Sequence, residues 1–175
     1  MHRSGLLTAV ILAAAIAVPA VAGDLDPRLA ALAPYVGHTF SARMGPAGNE
    51  DAAVDVQQWE LVLGGKAVQI THSINGGDYG GSSLIMWDVA TQSIRYWYVT
   101  NADFYTHGSM TAAGDSLVTL EDVVGNAGGI EQVEGVWRRT ADGLTVSSRM
   151  RAGGQWQPKR VTAYRETPGA QPAFR

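Results

Sequence analysis

The 175-residue chain contains no cysteine, so it can build neither a disulfide framework nor a thiolate metal site. Its four histidines are His2, His38, His72 and His107, with no His-x-x-x-His pair, and no metal centre is expected. Lys and Arg number 13 against 16 Asp and Glu. A nucleic-acid partner is therefore not expected, because such proteins carry a basic surface. No Gly-x-Ser-x-Gly stretch is present, which removes the nucleophile elbow of one large hydrolase class. Beyond residue 22 no apolar run approaches the roughly 20 residues of a membrane-spanning helix.

An apolar run does occur at the start. His2 and Arg3 precede Leu6 to Val18, followed by Pro19 and the small triplet Ala20, Val21 and Ala22. This is the pattern of an export signal cleaved after residue 22, and it is too short to serve as a membrane span. The expected product is a periplasmic or secreted protein with no membrane span after cleavage, stabilised by packing alone. The remaining length fits one domain, large enough to bury about two-thirds of its unfolded surface. Its charge is split. Residues 23–130 hold 4 basic and 12 acidic side chains, and residues 131–175 hold 8 and 4. Within one domain this reads as two sides that neutralise each other.

One short helix is expected near residues 26–33. In LDPRLAALAPYVG, Leu25, Leu29 and Leu32 share a stripe, Asp26 can cap, Pro27 suits a first turn, and Pro34 and Gly37 end it. From there on, turn residues recur every 8–12 positions, as in an antiparallel sheet. Candidate strands are 39–44, 54–63, 67–74, 82–87, 94–100, 104–110, 116–123, 132–139, 144–151 and 155–165. Tight turns fall at 63–67 and 141–145, and Pro158 interrupts the last strand. Sequential strands joined by short hairpins predict an up-and-down antiparallel β-barrel of 8–10 strands over residues 23–166, because closure removes exposed edges. A two-sheet sandwich is the alternative and needs longer crossovers. Residues 167–175 read as a flexible C-terminal tail.

The stretches APYVGHTF, WELVLGGKAVQITHSI, LIMWD and TAYRE resemble bacterial exported lipocalin-like (calycin-type) domains of unknown function. The resemblance spans residues 28–166 and rests on fold signatures, not catalytic ones. It implies a lipocalin-like barrel with a cavity and suggests ligand binding, without supplying the ligand. The chain departs from the pattern at Gly37-His38-Thr39-Phe40, which has one residue extra and Phe in place of Trp.

Strand residues alternate between faces, so parity sorts them. Trp59, Leu61 and Leu63 share one face, and Val68, Ile70, His72 and Ile74 share another, which puts His72 inward. In SIRYWYVTNADFYTHGSM, a three-residue turn at 101–103 sets Tyr98 opposite Thr106. Ile94, Tyr96, Tyr98, Phe104, Thr106, Gly108 and Met110 then share a face free of charge, joined across the Asp88 turn by Ile85 and Trp87. That face is taken as interior, with Trp97, Tyr105 and His107 outside. Inward tyrosines need hydroxyl partners, which argues for a cavity with polar fixtures. The expected ligand-binding residues are His72, Trp87, Tyr96, Tyr98, Phe104 and Thr106.

Three functions compete. The first, which leads, is a lipocalin-like binder of an apolar or aromatic small molecule, monomeric or homodimeric. The second is a small barrel enzyme of isomerase, cyclase or lyase type, drawing acid–base groups from His72, Tyr98, Glu121 and Glu134. The third is a structural domain without a ligand. No cofactor is expected, although haem on His72 is an alternative, since one histidine suffices to hold it. Arg149, Arg151, Lys159 and Arg160 read as a solvated outer face.

Overall fold

The structure, a computed structural model, describes residues 24–45, 49, 51–125 and 128–174. The expected export segment at 1–22 lies outside the described residues. A 3₁₀ helix over Pro27–Leu32 leads into β1 (Thr39–Met44), β2 (Ala53–Val62), β3 (Ala67–Ile74), β4 (Tyr79–Asp88), β5 (Ser93–Thr100), β6 (Phe104–Ala113), β7 (Ser116–Gly125), β8 (Ile130–Thr140), β9 (Gly143–Ala152), β10 (Gln155–Trp156) and β11 (Arg160–Glu166). Neighbours in sequence pair antiparallel from β1 to β9. The ring then closes as β9 pairs with β11 and β11 with β1. The result is a closed ten-stranded up-and-down barrel. β10 is a two-residue ladder on β9 beyond the end of the β9–β11 pairing, split from β11 at Pro158, which has no N–H to give a ladder.

The short helix plugs one end. The Asp26 side chain caps it, accepting from the Arg28 backbone N–H at 3.0 Å, from the Arg28 guanidinium at 2.9 and 2.7 Å, and from Lys66 Nζ at 3.1 Å. These bonds, Arg28's first, hold the Asp26 carboxyl well below its ordinary range. Leu29 and Leu32 project into the barrel and are fully buried among Phe40, Trp59, Val68, Ile85, Leu117 and Leu144. Tyr35 stacks on Trp59 with ring centroids 4.9 Å apart, and Trp137 meets Trp59 edge-on at 5.7 Å. Phe40 is wholly buried, with the Arg139 guanidinium 4.8 Å over its ring.

Two expectations need correction at this level. Leu63 does not share the inward face of β2. It lies past the strand end in a 3₁₀ turn over Leu63–Gly65, at φ 52°, and is 70% exposed. The expected loose tail lies along the outside of the barrel: the Thr167 N–H donates to Thr39 O at 2.8 Å, and the Ala173 N–H to Ser73 Oγ at 2.9 Å.

Candidate functional site

The half of the barrel away from the plug is hollow. A cavity of about 480 Å³, open at one side, is lined by inward residues of β2 to β9 and β11. Its apolar wall includes Ile70, Ile85, Phe104, Met110, Val123 and Val133. Its polar fixtures form two hydrogen-bonded groups that meet where Tyr98 of one pairs across β5 and β6 with Thr106 of the other.

The first group is a relay. β2 and β3 pair Gln57 with His72, so Asp55, two residues back on the inward face of β2, lies within reach of the imidazole. His72 Nδ1 is 3.0 Å from Asp55 Oδ1, and His72 Nε2 is 2.6 Å from the Tyr98 hydroxyl. Tyr79 Oη is 2.9 Å from Tyr98 Oη, and Tyr164 donates to Asp55 Oδ2 at 2.7 Å. Burial, the largest cause, pushes the Tyr79, Tyr98 and Tyr164 phenols up, so all three keep their protons. With the imidazole in the tautomer that carries its proton on Nδ1, the chain of donation runs from Tyr79 to Tyr98, from Tyr98 to His72 Nε2, and from His72 Nδ1–H to Asp55. Asp55 is 5% exposed and each of its oxygens has a donor. Gly81 makes the arrangement possible. A Cβ there would stand 2.5 Å from the Tyr98 ring and would strike the Val99 carbonyl, so only glycine lets that ring lie flat against β4.

The second group centres on Glu121. β6 and β7 pair Gly108 with Glu121, and the carboxylate accepts from the Thr106 hydroxyl and from Tyr96. Part of the side chain faces the cavity and keeps some accessible surface. The surrounding wall shields it from bulk water, and this desolvation pushes its carboxyl above the ordinary range against those two hydrogen bonds.

Of the expected site residues, His72, Tyr96, Tyr98, Phe104 and Thr106 line the cavity together. Trp87 does not. It turns inward at the plugged end and packs on the core under the Arg28 guanidinium, 5.8 Å from its ring centroid. Trp97 and Tyr105 are outside, 45% and 42% exposed, as parity required. Glu134 is another correction: its carboxylate faces outward and pairs with Arg149 at 2.6 Å, leaving Glu121 as the inward glutamate of the expected pair. Arg149 itself lies 4.6 Å over Trp156, outside the barrel.

Sequence reasoning missed Asp55, Gln57, Tyr79 and Tyr164. The parity that places Trp59 inward runs back through Gln57 to Asp55, so that signal was present. Tyr79 sits in a glycine-rich stretch that reads as a loop. Tyr164 is the tyrosine of the closing TAYRE strand, and nothing local pairs it with a residue 109 positions away.

Fold and site together define a closed ten-stranded antiparallel barrel with an internal, largely apolar cavity. No family model and no curated protein matches the chain. Among solved structures it is similar to the crystal structure of Rv2717c from M. tuberculosis, with a TM-score of 0.56 and 17% identity over 82% of this chain and 99% of that one. That likeness establishes the barrel and nothing finer. No helix among the described residues is long and apolar enough to cross a membrane.

Proposed function

We propose that this is an exported, lipocalin-like carrier, periplasmic or secreted, that holds an apolar or aromatic small molecule inside its barrel. One observation carries the reading: a cavity of about 480 Å³ with mostly apolar walls and a few convergent polar groups, which is the usual composition of a small-molecule site. A dry structural barrel has no use for a hollow of that size, because unfilled space forfeits packing. The test is native mass spectrometry of protein purified gently from its own host. A retained organic mass that is released on unfolding supports the carrier. A bare mature chain that also takes up no fluorescent apolar probe argues for a structural domain.

The relay favours a second reading, a small acid–base enzyme. Tyr98, His72 and Asp55 stand in the order of donor, base and orienting carboxylate. Tyr98→Phe separates the two. If the relay only satisfies buried groups, the loss leaves His72 Nε2 without its hydrogen-bond partner and costs stability, about 1–3 kcal/mol, while guest affinity is unchanged. If Tyr98 meets the guest, affinity or turnover falls and stability does not. Haem on His72 fits less well: Nε2 already holds the Tyr98 hydroxyl at 2.6 Å, so iron would have to displace it. A Soret band in host-purified protein tests that arrangement.

A further inference from the structure

The two carboxylates lining the cavity are not in the same condition. Asp55 is answered on both oxygens, by His72 and by Tyr164. Glu121 receives hydrogen bonds from two neutral hydroxyls, those of Thr106 and Tyr96. Among the described residues, no Lys or Arg lines the cavity, and the imidazole of His72 is committed to Asp55 and Tyr98. An ionised carboxylate facing an apolar hollow without a counter-charge is costly, and a buried charge is retained where something pairs with it. The other groups on the wall suit the same partner. The rings of Tyr79, Tyr96, Phe104 and Trp137 offer π-faces, and the indole N–H of Trp137 is fully buried, so it has no surface to offer a guest's acceptor.

Granting the carrier reading, on which this step rests, we propose that the guest is an apolar organic cation, an amine in its ammonium form whose charged head is held by Glu121 and whose hydrocarbon body fills the apolar hollow. The ammonium supplies the counter-charge that the wall lacks and donates N–H bonds to the carboxylate, and the neighbouring rings hold its positive face. A carboxylic acid of the same length brings a second negative charge into the same space and is repelled.

The groups facing Glu121 set the pH dependence. They are Thr106 and Gly108 on β6, Tyr96 and Tyr98 on β5, Tyr79 on β4, His72 on β3, Asp55 on β2, Val133 on β8 and Tyr164 on β11. The tyrosines stay protonated because burial raises them. Burial raises Glu121 as well, so its share of the affinity for an ammonium grows as pH rises through its elevated value, and Glu121→Gln isolates that share from the other groups on the wall.

Isothermal titration calorimetry with octylamine, 1-octanol and octanoate at pH 8 and pH 5 tests this. These probes share one hydrocarbon body and differ in head charge. The expected result at pH 8 is octylamine binding about ten-fold or more tighter than octanol, the scale of one hydrogen bond to a charged group, with octanoate weakest. The octylamine advantage shrinks at pH 5 and disappears in Glu121→Gln, which keeps the shape and removes the charge. Octanoate equal to or tighter than octylamine in the wild type overturns the proposal without any variant. Octanol binding with no preference for octylamine, or a preference that survives in Glu121→Gln, overturns it while leaving the carrier intact. Binding of none of the three overturns the carrier reading itself.

Discussion

At the scale of single residues, the cavity is organised by where charge is answered. Glu121 lies in the barrel interior with its carboxyl raised above the ordinary 4.5 by desolvation. A group raised in the folded state contributes stability below its unfolded value, and that contribution is lost as pH rises through the folded value. The stability of the wild type relative to Glu121→Gln is therefore expected to be greatest near pH 4 and to decline toward pH 8, with no guest present. Urea unfolding of both proteins at the two pH values measures the difference. A gap that stays constant with pH would mean that Glu121 is effectively solvated. The sequence showed Glu121 only as one of two glutamates in adjacent strands. Which one points inward depends on a register that becomes visible once Gly108 is seen opposite Glu121 and Arg149 opposite Glu134.

At the scale of elements, parity was the productive signal. The turn at 101–103 places Tyr98 opposite Thr106, as its length implied, and this one pairing fixes the inward set on β5 and β6. The plug was equally legible, since the Leu29 and Leu32 stripe and the Asp26–Pro27 start are local patterns. What parity alone does not give is depth. Trp87 faces inward as expected, yet it stands at the plugged end below the cavity, because strand tilt and the position of the helix decide height along the axis. Gly81 shows the same limit: in the sequence it is loop punctuation, whereas in the sheet it is the gap that seats Tyr98. Gly81→Ala is expected to destabilise by about 1–3 kcal/mol through overpacking and to push Tyr98 off His72. Thermal unfolding measures the first effect. The second appears as a shift of the His72 ring signals in NMR. A neutral substitution with unchanged His72 signals would show that β4 and β5 stand further apart than described.

At the scale of the whole molecule, the barrel depends on a seam the sequence does not announce. Strands β1 to β9 are joined by hairpins or short loops, but closure requires β11 to find β1 across more than a hundred residues, a pairing with no local code. The seam is also short: Phe40 with Glu166 and Ser41 with Arg165 are its two ladder pairs. Side chains reinforce it. Ser41 Oγ lies 2.7 Å from Thr167 Oγ1, and Tyr164 reaches across from β11 to Asp55 on β2. Glu166 receives Arg139 at 2.9 Å and faces His38 Nδ1 at 2.7 Å. Arg139's hydrogen bond is the largest cause holding the Glu166 carboxyl below its ordinary 4.5, with His38 next. A carboxyl depressed in the folded state contributes fully above its unfolded value, and that contribution disappears as pH falls through the folded one. The pH dependence is thus opposite in sign to that of Glu121, and acid is expected to loosen the seam first. Glu166→Gln should lower stability at pH 7 and match the wild type once pH has fallen well below 4.5. In the wild type, backbone amides of β1 and β11 should gain hydrogen-exchange rate on acidification, after correction for intrinsic chemistry, before those of β5 and β6 do. Uniform loss of protection around the ring would mean that the seam opens no more readily than any other strand pair and that Glu166 is only a surface charge.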